Sequence, residues 1–187
     1  MRRTGLFAAG LLDRHVDRLE DLSAAYAAEP PSPVSSHNDP VPGNILFDGT
    51  RLWLIDWESA YRNDPLVDVA IVLDNLAPSP GLEEILLQAW LGRAPDEAIR
   101  TRLAVIRALT RLYYAGVFLS ASATPPRAAP EDNLSAPTLA EFESEIRAGQ
   151  LVRGTPATTY IMGKMYLDGF LTGAAVPAST SLPRTAR

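Results

Sequence analysis

The chain has 187 residues, 47% of them hydrophobic and 21% charged, with a formal net charge of −5 and a pI near 5.0. That is enough apolar material for a domain with a buried core, and the acidic balance argues against both nucleic acid and a membrane surface as partners. Cysteine is absent, which excludes disulfides, thiolate metal sites and cysteine nucleophiles.

In chain order, the first stretch pairs Arg2 and Arg3 with a short apolar run to Leu12, the outline of a secretory signal. Asp13, Arg14 and His15 interrupt that run and no convincing cleavage site follows, so no signal is expected. No apolar stretch approaches the roughly 18 uninterrupted residues of a membrane span, which makes the cytoplasm the default location. Residues 6–28 predict one helix, with Leu12, Val16, Leu19, Leu22 and Tyr26 on a stripe at three- and four-residue spacing. His15 has no partner cluster and reads as a surface or capping histidine. Glu29-Pro30-Pro31-Ser32-Pro33 ends the helix.

The segment His37 to Glu58 concentrates the chemistry. Asp39 and Asn44 lie in a loop punctuated by Pro40, Pro42 and Gly43, and Asp56 closes an apolar run that follows Asp48-Gly49. The pattern predicts a loop, a strand near 45–47, a tight turn and a strand near 52–55. Strands in a hairpin lie about 4.8 Å apart, so the fold-back returns Asp56 to within a residue or two of Asn44. An amide oxygen and two carboxylates then converge, the hard oxygen ligands that suit Mg²⁺ beside a substrate phosphate.

Beyond it, Pro65 to Ala77 predicts a helix capped by Asp64, with Asp68 one turn on as a buried hydrogen-bonding brace. Leu82 to Leu91 predicts a short helix. Pro95 to Ala121 predicts a long one, its broad apolar face forming the spine of the core and its Tyr113-Tyr114 pair packing there. Residues 123–137 read as a Pro/Ala-rich surface loop. Two more helices are expected at 138–148 and 156–173, the second carrying Lys164 and Asp168 as a surface pair. A frayed tail is expected from Val176.

His37-x-Asp39-x-x-x-x-Asn44, with Gly43 before the Asn, an apolar strand and then Ile55-Asp56-Trp57-Glu58, resembles the catalytic loop and metal-binding Asp of the kinase fold. The spelling, with Asp64-Pro65-x-x-Asp68-Val69-Ala70 downstream, is similar to the aminoglycoside phosphotransferase and choline kinase superfamily rather than to protein kinases. The resemblance implies ATP and Mg²⁺ as cofactors and γ-phosphoryl transfer to a small-molecule hydroxyl. Asp39 would be the catalytic base, Asn44 and Asp56 the metal ligands, and His37 and Asp68 structural members of the loop. Glu58 would favour a cationic acceptor such as choline, ethanolamine or an aminoglycoside.

The implied fold is mainly α: the helical C-terminal lobe of the kinase-like fold over residues 1–175, carrying one small β-hairpin, with a flexible tail at 176–187. The 36 residues before His37 hold no lysine, Gly-rich loop or strand pattern, so the nucleotide-gripping N-terminal β lobe is expected to be absent. Turnover by this chain alone is then expected to be weak. The alternative is an inactive remnant or pseudokinase lobe that serves as an interaction module, with self-association or a partner chain covering the face where the missing lobe would dock. A Mg²⁺-dependent hydrolase using the same acidic cluster is disfavoured, because no second metal cluster or activated nucleophile is evident.

Overall fold

A computed structural model describes residues 5–123, 130–173 and 176–177. Among the described residues, six α-helices and four short strands run in the order α1 (Val16–Ala28), β1 (Val34–Ser36), β2 (Ile45–Phe47), β3 (Leu52–Leu54), β4 (Tyr61–Asn63), α2 (Pro65–Leu76), α3 (Pro80–Leu91), α4 (Glu97–Ala121), α5 (Leu139–Arg147) and α6 (Pro156–Thr172). Ser23–Thr110 form one compact unit, and the described residues of Met1–Leu22 and Arg111–Pro177 form another.

Helix starts follow the local chemistry. Asp64, Ser79, Thr138 and Thr155 each accept a hydrogen bond from a first-turn backbone N–H, and Pro65, Pro80 and Pro156 stand at the first helical turn, where the missing N–H costs nothing. Thr138 and Glu141 complete a reciprocal capping box. The expected first helix is shorter than the sequence suggests. Gly10 adopts φ +81, a left-handed conformation that no helix continues through, and Leu6 and Ala8 instead exchange backbone hydrogen bonds with Glu131 at 2.8 and 2.7 Å. A 3-10 turn at Asp13–His15 leads into α1.

The site-bearing unit has its core between α2, α3 and the first half of α4. Leu66, Ala70, Leu73, Leu87, Leu103 and Ile106 are buried together there, with Tyr26 packed at the edge. Arg107 crosses the same helices, bonding Asp74 at 2.6 Å and Glu83 at 2.8 Å. The sheets exceed the single hairpin expected. β2 and β3 form that hairpin, Ile45 opposite Leu54, and β1 also pairs antiparallel with β4, Val34 opposite Asn63. Gly49 at φ +97 makes the hairpin turn.

In the other unit, Tyr114, Phe118, Phe142, Tyr166 and Phe170 are buried, so the tyrosine pair divides: Tyr114 packs in the core, whereas Tyr113 is 59% exposed. His15 is half-buried against an apolar hollow of about 280 Å³ lined by Leu12, Val16, Leu112 and Phe170. Lys164 corrects the expected surface pair: it is buried, with its ammonium 2.8 Å from Glu131 and near the Tyr160 ring, and it does not reach for Asp168. α4 is long and apolar enough to span a membrane by length and composition, yet Leu103, Ile106, Ala115, Phe118 and Leu119 are buried as core residues. Of the expected 123–137 loop, residues 124–129 lie outside the described residues. So does the tail from residue 178; Val176 is buried, and the Pro177 carbonyl accepts the Tyr166 hydroxyl at 3.0 Å.

Candidate active site

The loop between β1 and β2 is buried from Ser36 through Val41, an unusual environment for a polar run and one that demands partners for every backbone group. Asp68, on the first turns of α2, supplies two of them: one carboxylate oxygen accepts the His37 N–H at 2.8 Å and the other the Asn38 N–H at 2.7 Å. The His37 ring ties the loop to the hairpin. Its Nδ1 accepts the Asp39 N–H at 3.3 Å, so Nε2 carries the proton and donates to the Ile55 carbonyl at 2.8 Å. The Trp57 ring stands edge-on against it at 4.7 Å, while the indole N–H donates to Leu54.

Asp39 and Asn44 are brought together as the spacing predicts. The Asn44 amide nitrogen donates to the Asp39 carbonyl at 2.9 Å and to its carboxylate at 3.1 Å, and both residues are buried. A 3-10 turn at Pro42–Asn44 makes this contact possible within five residues. Committing the nitrogen to Asp39 turns the amide oxygen of Asn44 away from it. The hairpin register places Asp56 next: the Ile55 N–H bonds the Asn44 carbonyl at 2.9 Å, so Asp56 emerges one residue past the position opposite Asn44.

Asp56 is exposed and adopts φ 63, ψ 61 as the chain enters a 3-10 turn at Trp57–Ser59. Asn38 and Asp56 are the non-glycine residues at positive φ among the described residues, and both flank Asp39 and Asn44 in the chain. Strain of this kind costs of order 1–3 kcal/mol per residue and persists only where the surroundings enforce it. Glu58 lies exposed in the same 3-10 turn, and among the described residues no hydrogen bond or ion pair joins it to Asp39 or Asn44.

Among the described residues no group of three or more His, Asp or Glu side chains is placed to hold a metal ion alone. The Asn44 amide oxygen and the Asp56 carboxylate are nonetheless the oxygen donors that Mg²⁺ takes from protein when water and phosphate complete its octahedron, so the donor chemistry fits. The hairpin tip is separately stabilised. Asp48 accepts the Trp53 indole N–H at 2.7 Å and the N–H groups of Thr50 and Arg51 at 2.9 and 2.8 Å, and these bonds, the indole foremost, hold its carboxyl well below the usual range.

Sequence reasoning missed a second ring of supports. The Asn63 amide donates to Asn38 at 2.7 Å, its carbonyl oxygen accepts the Asp64 N–H at 2.9 Å, and the Asp64 carboxylate meets Arg102 of α4 at 2.6 Å. Arg102 also donates to the Glu29 carbonyl and lies over the Tyr26 ring. Burial and the Asp64 carboxylate raise the Tyr26 phenol above its ordinary pKa, with Arg102 opposing them. Asp64 was legible as a cap, but its charge partner stands 38 residues away and no local pattern marks it.

A family model described as the phosphotransferase enzyme family matches residues 2–104. Protein LicA of Haemophilus influenzae is 41% identical over 54 residues, 29% of this chain and 20% of that protein. An uncharacterized protein of Metamycoplasma hominis is 31% identical over 70 residues, 37% of this chain and 14% of that one. Among solved structures, a choline/ethanolamine kinase family protein from Mesorhizobium loti superposes with a TM-score of 0.55 at 24% identity, covering 84% of this chain and 51% of that chain. The fold is therefore that of the mainly helical kinase-like lobe. This chain spans about half the length of that solved relative, and the matched segments cover a fifth or less of the curated ones.

Proposed function

The chain belongs to the phosphotransferase enzyme family, and we propose that it serves transfer of the ATP γ-phosphoryl group to a hydroxyl of a small cationic acceptor, choline- or ethanolamine-like or an aminoglycoside. The observation that carries this is the buried Asp39 carboxylate held on the Asn44 amide, one strand-pair away from Asp56. Asp39 accepts the proton of the attacking hydroxyl. Its carboxylate is fixed by Asn44 and its backbone by the His37 ring, so the base does not reorient as the hydroxyl approaches. Asn44 and Asp56 would hold Mg²⁺, which when bound neutralises charge on the transferred phosphate. Glu58, exposed beside Asp56, offers a carboxylate to a cationic acceptor. The solved choline/ethanolamine kinase family protein, which shares the fold, supports a small-molecule acceptor.

A specific observation favours a second reading, in which this lobe works as an interaction module. The hairpin and its flanks expose Leu46, Phe47, Leu52, Trp53, Trp57 and Tyr61 at 50–72%, a concentration of exposed apolar side chains of the kind that marks an interaction site. A nucleotide-gripping lobe, in this polypeptide or another, or a second copy of the chain would cover it. The two readings separate in one assay. With γ-labelled ATP and Mg²⁺, label is expected on choline, ethanolamine or an aminoglycoside only when the hairpin face is covered by such a lobe. No label on any of the three in the covered form would leave the interaction module as the better description.

A further inference from the structure

We propose that Asn38 is a positioning residue for Asp39, holding the loop through its own side chain while its backbone supplies a left-handed turn; the functional part of this rests on Asp39 being the base. The residue sits at φ 64, a conformation that glycine and asparagine adopt most readily. Its amide is also used in full. The nitrogen faces three backbone carbonyls, Ser36 at 3.2 Å, Ser59 at 3.0 Å and Tyr61 at 3.5 Å, and the oxygen accepts the Asn63 amide at 2.7 Å. These contacts fix which end of the amide is which, because only a nitrogen donor suits three carbonyl oxygens.

The consequence is a division of labour around Asp39. Asp68 holds the backbone N–H groups of residues 37 and 38 from α2, and the Asn38 side chain holds the loop to β4 and to the turn that follows Asp56. The same amide thereby links the segment before the base to the segment after the proposed metal ligand. Asn63 relays that anchor to Asp64 and Arg102. A residue chosen only for its φ would serve as well if it were glycine. Asn38 differs from glycine by four side-chain contacts that all end on the elements framing the site.

Two variants separate the backbone role from the side-chain role. Asn38→Gly keeps the left-handed turn and deletes the amide, whereas Asn38→Asp keeps the shape and sets a carboxylate against three carbonyl oxygens. Backbone amide exchange, followed residue by residue by NMR on the intact chain, reads the outcome without any ligand. The N–H groups of Asp39, Val41 and Asn44 are expected to exchange at least tenfold faster in Asn38→Gly, and faster still in Asn38→Asp, while α2 and α4 change less than twofold. In phosphoryl transfer with the hairpin face covered, Asn38→Gly is expected to lower kcat about tenfold with KM for ATP within twofold. Wild-type exchange at residues 39–44 in Asn38→Gly overturns the proposal, as does acceleration spread evenly over α2 and α4. A wild-type chain that transfers no phosphoryl would refute the kinase reading and leave the exchange result to decide the loop anchor by itself.

Discussion

Arg102→Ala is expected to destabilise the protein by about 3 kcal/mol, a fall of roughly 6–12 °C in Tm for a chain of this size. Asp64 is 1% exposed and Arg102 17%, so removing the guanidinium strands a carboxylate where water does not reach it. The cost is that of an uncompensated buried charge, which exceeds the net worth of the ion pair. The Glu29 carbonyl and the Tyr26 ring lose their partner in the same step. Asp64→Asn should be milder, because the amide oxygen still caps Leu66. The double variant Arg102→Ala/Asp64→Asn is expected to recover at least 1 kcal/mol relative to the sum of the single changes, since neither charge then remains buried alone. Denaturant melts of the four proteins measure this coupling, and additivity within 0.3 kcal/mol, the usual result for independent sites, would mean that the two side chains do not depend on each other.

Asp39→Asn is expected to lower kcat by a factor of about 10²–10⁴, the span that a positioned general base contributes. The substitution is nearly isosteric and leaves the buried loop filled. The carboxylate oxygen that meets Asn44 can be replaced by the new amide's carbonyl oxygen, so the 3.1 Å contact survives and folding should not suffer. What is lost is the ability to accept a proton from the attacking hydroxyl. The expected pattern is therefore a large fall in kcat with Tm and KM for ATP little changed, measured on the covered form of the enzyme. A comparable fall in Tm would assign the residue to loop architecture instead of proton transfer.

The chemistry-bearing part of this fold was legible because its signals are short-range. Asp48-Gly49 between two apolar triplets marks the hairpin, and the hairpin alone carries Asp56 back toward Asn44. Asp64 before Pro65 marks the start of α2, which brings Asp68 to the loop. The β1–β4 pair escaped notice for a physical reason: Val34-Ser35-Ser36 and Tyr61-Arg62-Asn63 are three residues each, with no alternation long enough to read, and tertiary closure of the loop defines them. The early helix was overextended because Leu6–Leu12 has helical spacing, while Gly10 and a partner more than 120 residues away decide its conformation. Lys164 was misplaced likewise. Its i,i+4 neighbour Asp168 is visible in sequence, but Glu131 wins because it meets the ammonium in a buried setting.

The supports around Asp39 show the same limit more sharply. Asn and Asp tolerate positive φ but do not require it, so the turns at Asn38 and Asp56 are set by their surroundings, and the chain from Asn38 through Asn63-Asp64 to Arg102 joins three segments that no periodicity connects. The motif marks the residues proposed to do chemistry, and the fold shows what holds them still.

The most direct test of the phosphotransferase site is calorimetric titration of the purified chain with ATP in the presence and absence of Mg²⁺, with Asp56→Ala as the control. Binding that requires Mg²⁺ and disappears in Asp56→Ala is the expected result. Binding indifferent to both Mg²⁺ and Asp56 would contradict the assignment of Asn44 and Asp56 as the metal-holding pair, and absence of binding at millimolar nucleotide would favour the interaction module over a working half-site.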